Sequence, residues 1–190
     1  MLSLRDIMGN IKKGQSALNV RVIMNALEQT YQKLKGRIVI TGCDTNGDSG
    51  ATVYMTMPSS SVQGANYDVV IEVHTQTKMQ LNTGIKVYTN SPSFGYNFAY
   101  VFHKKGSLLF PEKYPAEFKT MPPKTRNPYH SVGFDKQIFA GIRYISDYKL
   151  PSLIGEFKGT VPSVKSFQEK MREIGGIKLE LERERARLNN

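Results

Sequence analysis

The chain has 190 residues, with 26 Lys and Arg against 16 Asp and Glu, for a formal net charge of +10. That length supports one hydrophobic core, and 39% apolar residues with 10 Tyr and 9 Phe exclude a chain disordered throughout. A single Cys excludes a disulfide framework and a Cys-based zinc cluster, and no apolar run is long enough to span a bilayer as a helix.

Residues 1–6 lack the apolar stretch of a signal peptide, so none is expected. Residues 1–15 read as a short helix ending near Gly9 or Gly14, or as an arm. Leu18, Val22, Ile23, Ala26, Leu27, Tyr31 and Leu34 then recur at three- and four-residue steps. They predict an amphipathic helix over 18–35, with Ser16 and Asn19 as start signals and Gly36 as the stop. The period next changes from 3.6 to 2. Strands are predicted over Arg37–Cys43, Ala51–Met57, Tyr67–Thr75, Gly84–Thr89 and Phe94–Phe102. The turn-rich connections between them are too short for parallel crossovers, so the pairing should be antiparallel, as a meander or a small sandwich.

Residues 103–134 resist regular structure, because Pro111, Pro115, Pro122, Pro123 and Pro128 fall within eighteen positions. An excursion of this length is either functional or pinned by a neighbour. Asp135 then reads as the N-cap of a helix carrying Ile138, Phe139, Ile142 and Ile145 to about Tyr148. One more short strand is expected within Leu150–Val161. Ser163 should cap a last helix carrying Val164, Phe167, Met171 and Ile174, before a run of mixed charge to Asn190. The expected class is α+β, a small antiparallel sheet or sandwich of about five to six strands with an N-terminal helix and a C-terminal helical arm. The expected organisation is a helical arm over 1–36, a β-rich body over 37–161 and an arm over 162–190.

Five candidate sites follow from this pattern. Phe94, Tyr96, Phe98, Tyr100 and Phe102 alternate without a break, so a strand would put all five rings on one face, as a core layer or as a stacking platform for bases. Lys104, Lys105, Lys113, Lys119, Lys124 and Arg126 lie in or beside the Pro-rich excursion and could dock nucleic acid or an acidic protein neighbour. Lys12, Lys13, Lys33, Lys35 and Arg37 flank the first helix in the same way. Asp44–Gly50 places oxygen side chains at alternate positions like the start of a calcium loop, but Ser49 stands where Gly is needed and Met55 where Glu is needed, so a tight turn is expected. Asp147 with Glu156-Phe157-Lys158 fits the acid…acid-x-Lys pattern of a magnesium-dependent nuclease, and Asp68, Glu72 and His74 give a second, looser arrangement.

The remaining chemistry is sparse. His74, His103 and His130 are too far apart in sequence for a zinc-site spacing. Cys43 ends a β-branched run and reads as a small buried hydrophobe. The chain has no Gly-x-Ser-x-Gly, no Walker loop and no dinucleotide fingerprint. No cofactor or metal is expected, and the chain reads as non-enzymatic. The charge is also uneven: residues 38–100 hold two basic and four acidic residues, while 101–160 hold ten and five. The positive surplus therefore sits on the segments flanking the sheet.

The Asn90-Ser-Pro-Ser-Phe-Gly-Tyr-Asn-Phe-Ala-Tyr100 stretch, the Lys124-Thr-Arg-Asn-Pro-Tyr129 segment and the helical arms around an irregular β body resemble tailed-bacteriophage virion proteins. The resemblance implies a non-enzymatic building block of the neck or tail, located in the virion and present as a ring of identical copies. Its partners would be further copies and other proteins of the particle, with nucleic acid as an alternative partner and no membrane.

Overall fold

Hydrophobic alternation and helical stripes resolve into one five-stranded antiparallel sheet with helices packed on it. The computed structural model describes residues 1–8, 17–47, 49–60, 62–122, 127, 130–133, 135–165, 168–170, 172, 173 and 176. The strands are β1 (Leu2–Ser3), β2 (Val39–Asn46), β3 (Gly50–Pro58), β4 (Asn66–Val73) and β5 (Gly84–Thr89), in the order β1-β5-β4-β3-β2. The helices are α1 (Leu4–Ile7), α2 (Ala17–Leu34), α3 (Pro92–Asn97), α4 (Ala99–Lys104), α5 (Ala116–Thr120), α6 (Lys136–Tyr148) and α7 (Leu150–Phe157). The class is α+β, as the pattern predicts, with a single sheet as its β layer.

One face of the sheet is a continuous apolar layer. Register places Met57 beside Tyr67, Met55 beside Val69, Val53 beside Ile71 and Ala51 beside Val73, and all eight are buried. Helix α6 lies close against this face at Gly141, where a Cβ would sit 2.8 Å from Ile71 Cδ1 and 3.1 Å from Met55 Sδ. Asp135 caps α6 as expected, accepting from the backbone N–H groups of Gln137 at 3.0 Å and Ile138 at 2.9 Å. Helix α2 packs on α6. Its Tyr31 hydroxyl donates to Asp147 at 2.6 Å, and Arg143 reaches Glu28 at 3.2 Å. The 1–36 segment, expected as an arm, thus contributes Leu2, Ile7, Leu27, Tyr31 and Leu34 to the core. Val22 and Ile23, which the sequence places on the same stripe, are exposed. Ser16 and the side chains of Leu18 and Asn19 lie outside the described residues.

The opposite face holds the row Tyr54–Val70–Tyr88, also buried. Its cover is the extended chain at 160–165. Lys158 bridges to Cys43 on the edge of β2, and the Tyr88 hydroxyl donates to the Lys165 carbonyl. The crossing is possible because β2 carries Gly42 at a register irregularity. A Cβ on Gly42 would overlap the Thr160 carbonyl oxygen and stand 2.8 Å from Pro162 Cδ. Gly42→Ala is therefore expected to cost about 1–3 kcal/mol in urea unfolding, as overpacking does. Gly36→Ala, with nothing within 4 Å of the new methyl, should be near neutral. Equal effects of the two would show that residues 160–165 do not cross there.

Several expected elements differ, among them the excursion over 103–134, expected to resist regular structure, which holds a 3-10 turn at Pro111–Lys113 and helix α5. The fifth predicted strand, Phe94–Phe102, is the helical pair α3 and α4. Ser91-Pro92 starts it, since Pro is favoured in the first helical turn. The strand expected within Leu150–Val161 is α7, again with Pro in its first turn, and only Lys158 retains a strand-like bridge. The fifth strand of the sheet is instead Leu2–Ser3, paired with Ile85 and Gly84. Ser163 and Val164, expected to open the last helix, lie in the non-helical chain of 161–165; farther on, residues 168–170, 172, 173 and 176 are helical, and Phe167, Met171, Ile174 and 177–190 lie outside the described residues.

Candidate docking surface

The aromatic alternation is divided between two sides of the α3–α4 pair. Phe98 N–H bonds to the Phe94 carbonyl at 2.8 Å and Phe102 N–H to the Phe98 carbonyl at 3.1 Å, so helical repeat continues across the junction. Side chains four apart therefore share a side. Phe94, Phe98 and Phe102 face the core, with the Phe94 ring centroid 5.2 Å from Phe102 and 6.1 Å from Tyr114. Tyr96, Tyr100 and Lys104 form the outward row, with Tyr96 56% exposed. The single five-ring face expected from a strand is thus replaced by a core stripe and a surface stripe.

The Pro-rich excursion supplies the surface stripe with neighbours. Phe118 of α5 meets Tyr96 edge-on at 4.5 Å, and His130 meets Tyr100 at 5.6 Å. Met121 is 61% exposed just past α5. The Lys104 ammonium lies 5.9 Å from the Tyr100 ring centroid, and Lys105 is exposed beside it. The result is an aromatic ridge with cations at one end.

Two anchors hold the excursion in place. The buried Tyr114 hydroxyl donates to the Thr89 carbonyl at 2.6 Å and accepts from the Thr89 N–H at 3.1 Å. Burial pushes this phenol well above its ordinary pKa, so it stays protonated as a donor. The buried Asn127 side chain donates to the carbonyls of Asn97 and Ser131, each at 2.8 Å, and accepts from the Ser131 N–H at 2.8 Å. The excursion is pinned to β5 and α3.

The four described basic candidates fall into two pairs. Lys113 donates to the Val164 carbonyl at 3.3 Å and Lys119 to the Pro111 carbonyl at 2.8 Å, so both serve as internal ties. Lys124 and Arg126 lie outside the described residues. Lys104 and Lys105 remain at the ridge. The ridge residues that sequence reasoning missed are Phe118, Met121 and His130, which reach Tyr96 and Tyr100 only through the fold.

The other candidates resolve in simpler ways. Asp44–Gly50 is the β2–β3 hairpin: Asp44 accepts from the Thr45 N–H, Asn46 donates to Thr52, and the Gly47 carbonyl accepts from Gln76. Asp48 lies outside the described residues. Asp147 sits on α6, engaged by Tyr31 and Arg143, while Glu156 lies in the last turn of α7 and Lys158 follows that helix, so no strand among the described residues aligns them. Asp68 accepts from Thr56 and Asn90, and Glu72 pairs with Lys86 at 2.9 Å and with His74 at 3.0 Å. Among the described residues no three His, Cys, Asp or Glu side chains group as a metal site. Cys43 is buried, which with the neighbouring Asp44 pushes its thiol up to about 11. No helix among the described residues is long and apolar enough to cross a membrane.

Comparison with protein-family models, with curated proteins and with solved structures finds no match.

Proposed function

We propose that the protein is a non-enzymatic structural subunit of a larger assembly, a neck or tail component of a tailed-phage virion present in multiple copies. The phage setting rests on the sequence resemblance. The assembly role rests on the ridge. Its exposed Tyr96 and Met121, backed by Phe118 and Tyr100, place large apolar side chains at the surface where aromatic and Met side chains serve interfaces. The partner is a neighbouring copy of the chain, which the ridge would meet through apolar contact, with Lys104 and Lys105 at its rim.

Size-exclusion chromatography with light scattering tests this. The wild-type chain should run at a multiple of 21.4 kDa that grows with concentration. The Tyr96→Asp/Met121→Asp double variant should run as a folded monomer with at most a small drop in melting temperature, because both side chains are largely exposed and Tyr96 loses only its edge contact with Phe118. A wild-type chain that stays monomeric at every concentration overturns the proposal, as does a double variant that assembles like wild type.

A further inference from the structure

We propose that the cleft between the end of α2, the connection after β3 and the start of α6 binds a phosphoryl group. The inference is independent of the ridge. The cleft has a volume of 210 Å³ and draws its lining from three separate stretches of chain. Lys33 comes from the last turn of α2, Arg37 from the 3-10 turn that follows it, and Lys136 from the first residue of α6. Ser60 comes from the connection after β3. Three cations thus line one polar hollow, with no carboxylate in its lining among the described residues.

Among the described residues these cations carry no ion pair: Lys33, Arg37 and Lys136 are exposed, whereas Lys86, Arg143, Lys165 and Lys170 are each paired. Cations lining one hollow favour an anion placed among them. Two polar residues of the lining, Thr30 and Ser59, are already engaged and shape the wall. Thr30 donates to the Ala26 carbonyl, and Ser59 accepts from the Val62 N–H. Asp135, next to Lys136 in sequence, is buried and accepts from two amides of α6.

The shape of the charge selects the ligand class. A monocarboxylate answers one cation and leaves two. A phosphoryl group carries up to two negative charges and three acceptor oxygens, which suits an Arg fork with lysines on either side. The group could belong to a free phosphorylated small molecule or to a polynucleotide backbone, and the two sources bind through the same atoms.

Titration of the full chain with pyrophosphate, AMP, acetate and a labelled oligothymidylate, followed by calorimetry and fluorescence anisotropy, tests the site. Pyrophosphate should bind saturably and more tightly than acetate. Arg37→Gln and Lys136→Gln should each weaken it about tenfold, as expected for losing one charge-assisted contact, with melting temperatures unchanged. The Tyr96→Asp/Met121→Asp variant should bind as wild type does. Binding of AMP and pyrophosphate alone assigns the site to small phosphorylated molecules. Binding of the oligonucleotide, with a salt slope that falls by about one in the Arg37→Gln variant, assigns it to a nucleic-acid backbone. Acetate binding as tightly as pyrophosphate overturns the proposal, as do probes that bind both variants unchanged or fail to bind at all.

Discussion

Phe94→Ala should destabilise the protein by about 3–5 kcal/mol in urea unfolding, the cost of emptying a buried aromatic site. Tyr96→Ala, two residues away, should cost about 1 kcal/mol or less. The contrast follows from the helical repeat of α3. Phe94 is fully buried against Phe98, Phe102 and Tyr114, while Tyr96 keeps one edge on Phe118 and the rest in water. On a strand the two would share a face and a fate. Similar costs for both substitutions would show that residues 94–102 alternate as a strand after all.

The second large effect is one of pH. Asp135 is fully enclosed at the start of α6, and burial pushes its carboxyl up from 3.8 to about 6 despite two backbone donors and the nearby Lys136. Between those two values the folded protein holds a proton that the unfolded chain has released. Stability is therefore full below about pH 4 and declines as pH rises through 6, by about 3 kcal/mol for a displacement of this size. Asp135→Asn keeps an oxygen that can cap the amides of Gln137 and Ile138, and removes the ionisation. Its stability relative to wild type should rise by about 3 kcal/mol from pH 4 to pH 7 in urea titrations. A difference that stays flat across this range would mean that the carboxylate ionises at its ordinary value.

Much of the fold is written in local pattern. Strands β2 to β5 sit where period-2 apolar runs lie between turn residues, and α2 and α6 sit where the period is 3.6. Side-chain periodicity is a property of short windows, so it survives being read without the rest of the chain. The region from Phe94 to Phe102 misleads for a definite reason: an unbroken period-2 series contains within it a series with step four, and Phe94, Phe98 and Phe102 make a helical stripe as well as half a strand face. Pro92 and Pro151 were the available signals for helix starts, and both were outweighed by apolar spacing. The two residues of β1 are too short to carry any period, and only their pairing with β5 defines them.

Less of the candidate site was legible. Tyr96 and Tyr100 were visible as aromatics, but their exposure depends on which side of α3–α4 packs inward. Lys113 and Lys119 look like free surface charge until backbone carbonyls from distant chain, Val164 and Pro111, take up their ammonium groups. Lys33, Arg37 and Lys136 are separated by about one hundred positions at the extremes, and no local window places them around one hollow.

The sheet is guarded on both flanks. Beyond β5 the chain lays down Leu2–Ser3 and then Leu108, which bridges to Val87; beyond β2 it returns with Lys158. Unpaired strand flanks are templates on which further chains can add without limit. Here those templates are partly filled by the molecule's own termini-proximal and linking segments. A further chain adding a strand at Ile85, Val87 or Cys43 would first have to displace these segments, so the ladder of backbone hydrogen bonds is harder to extend there.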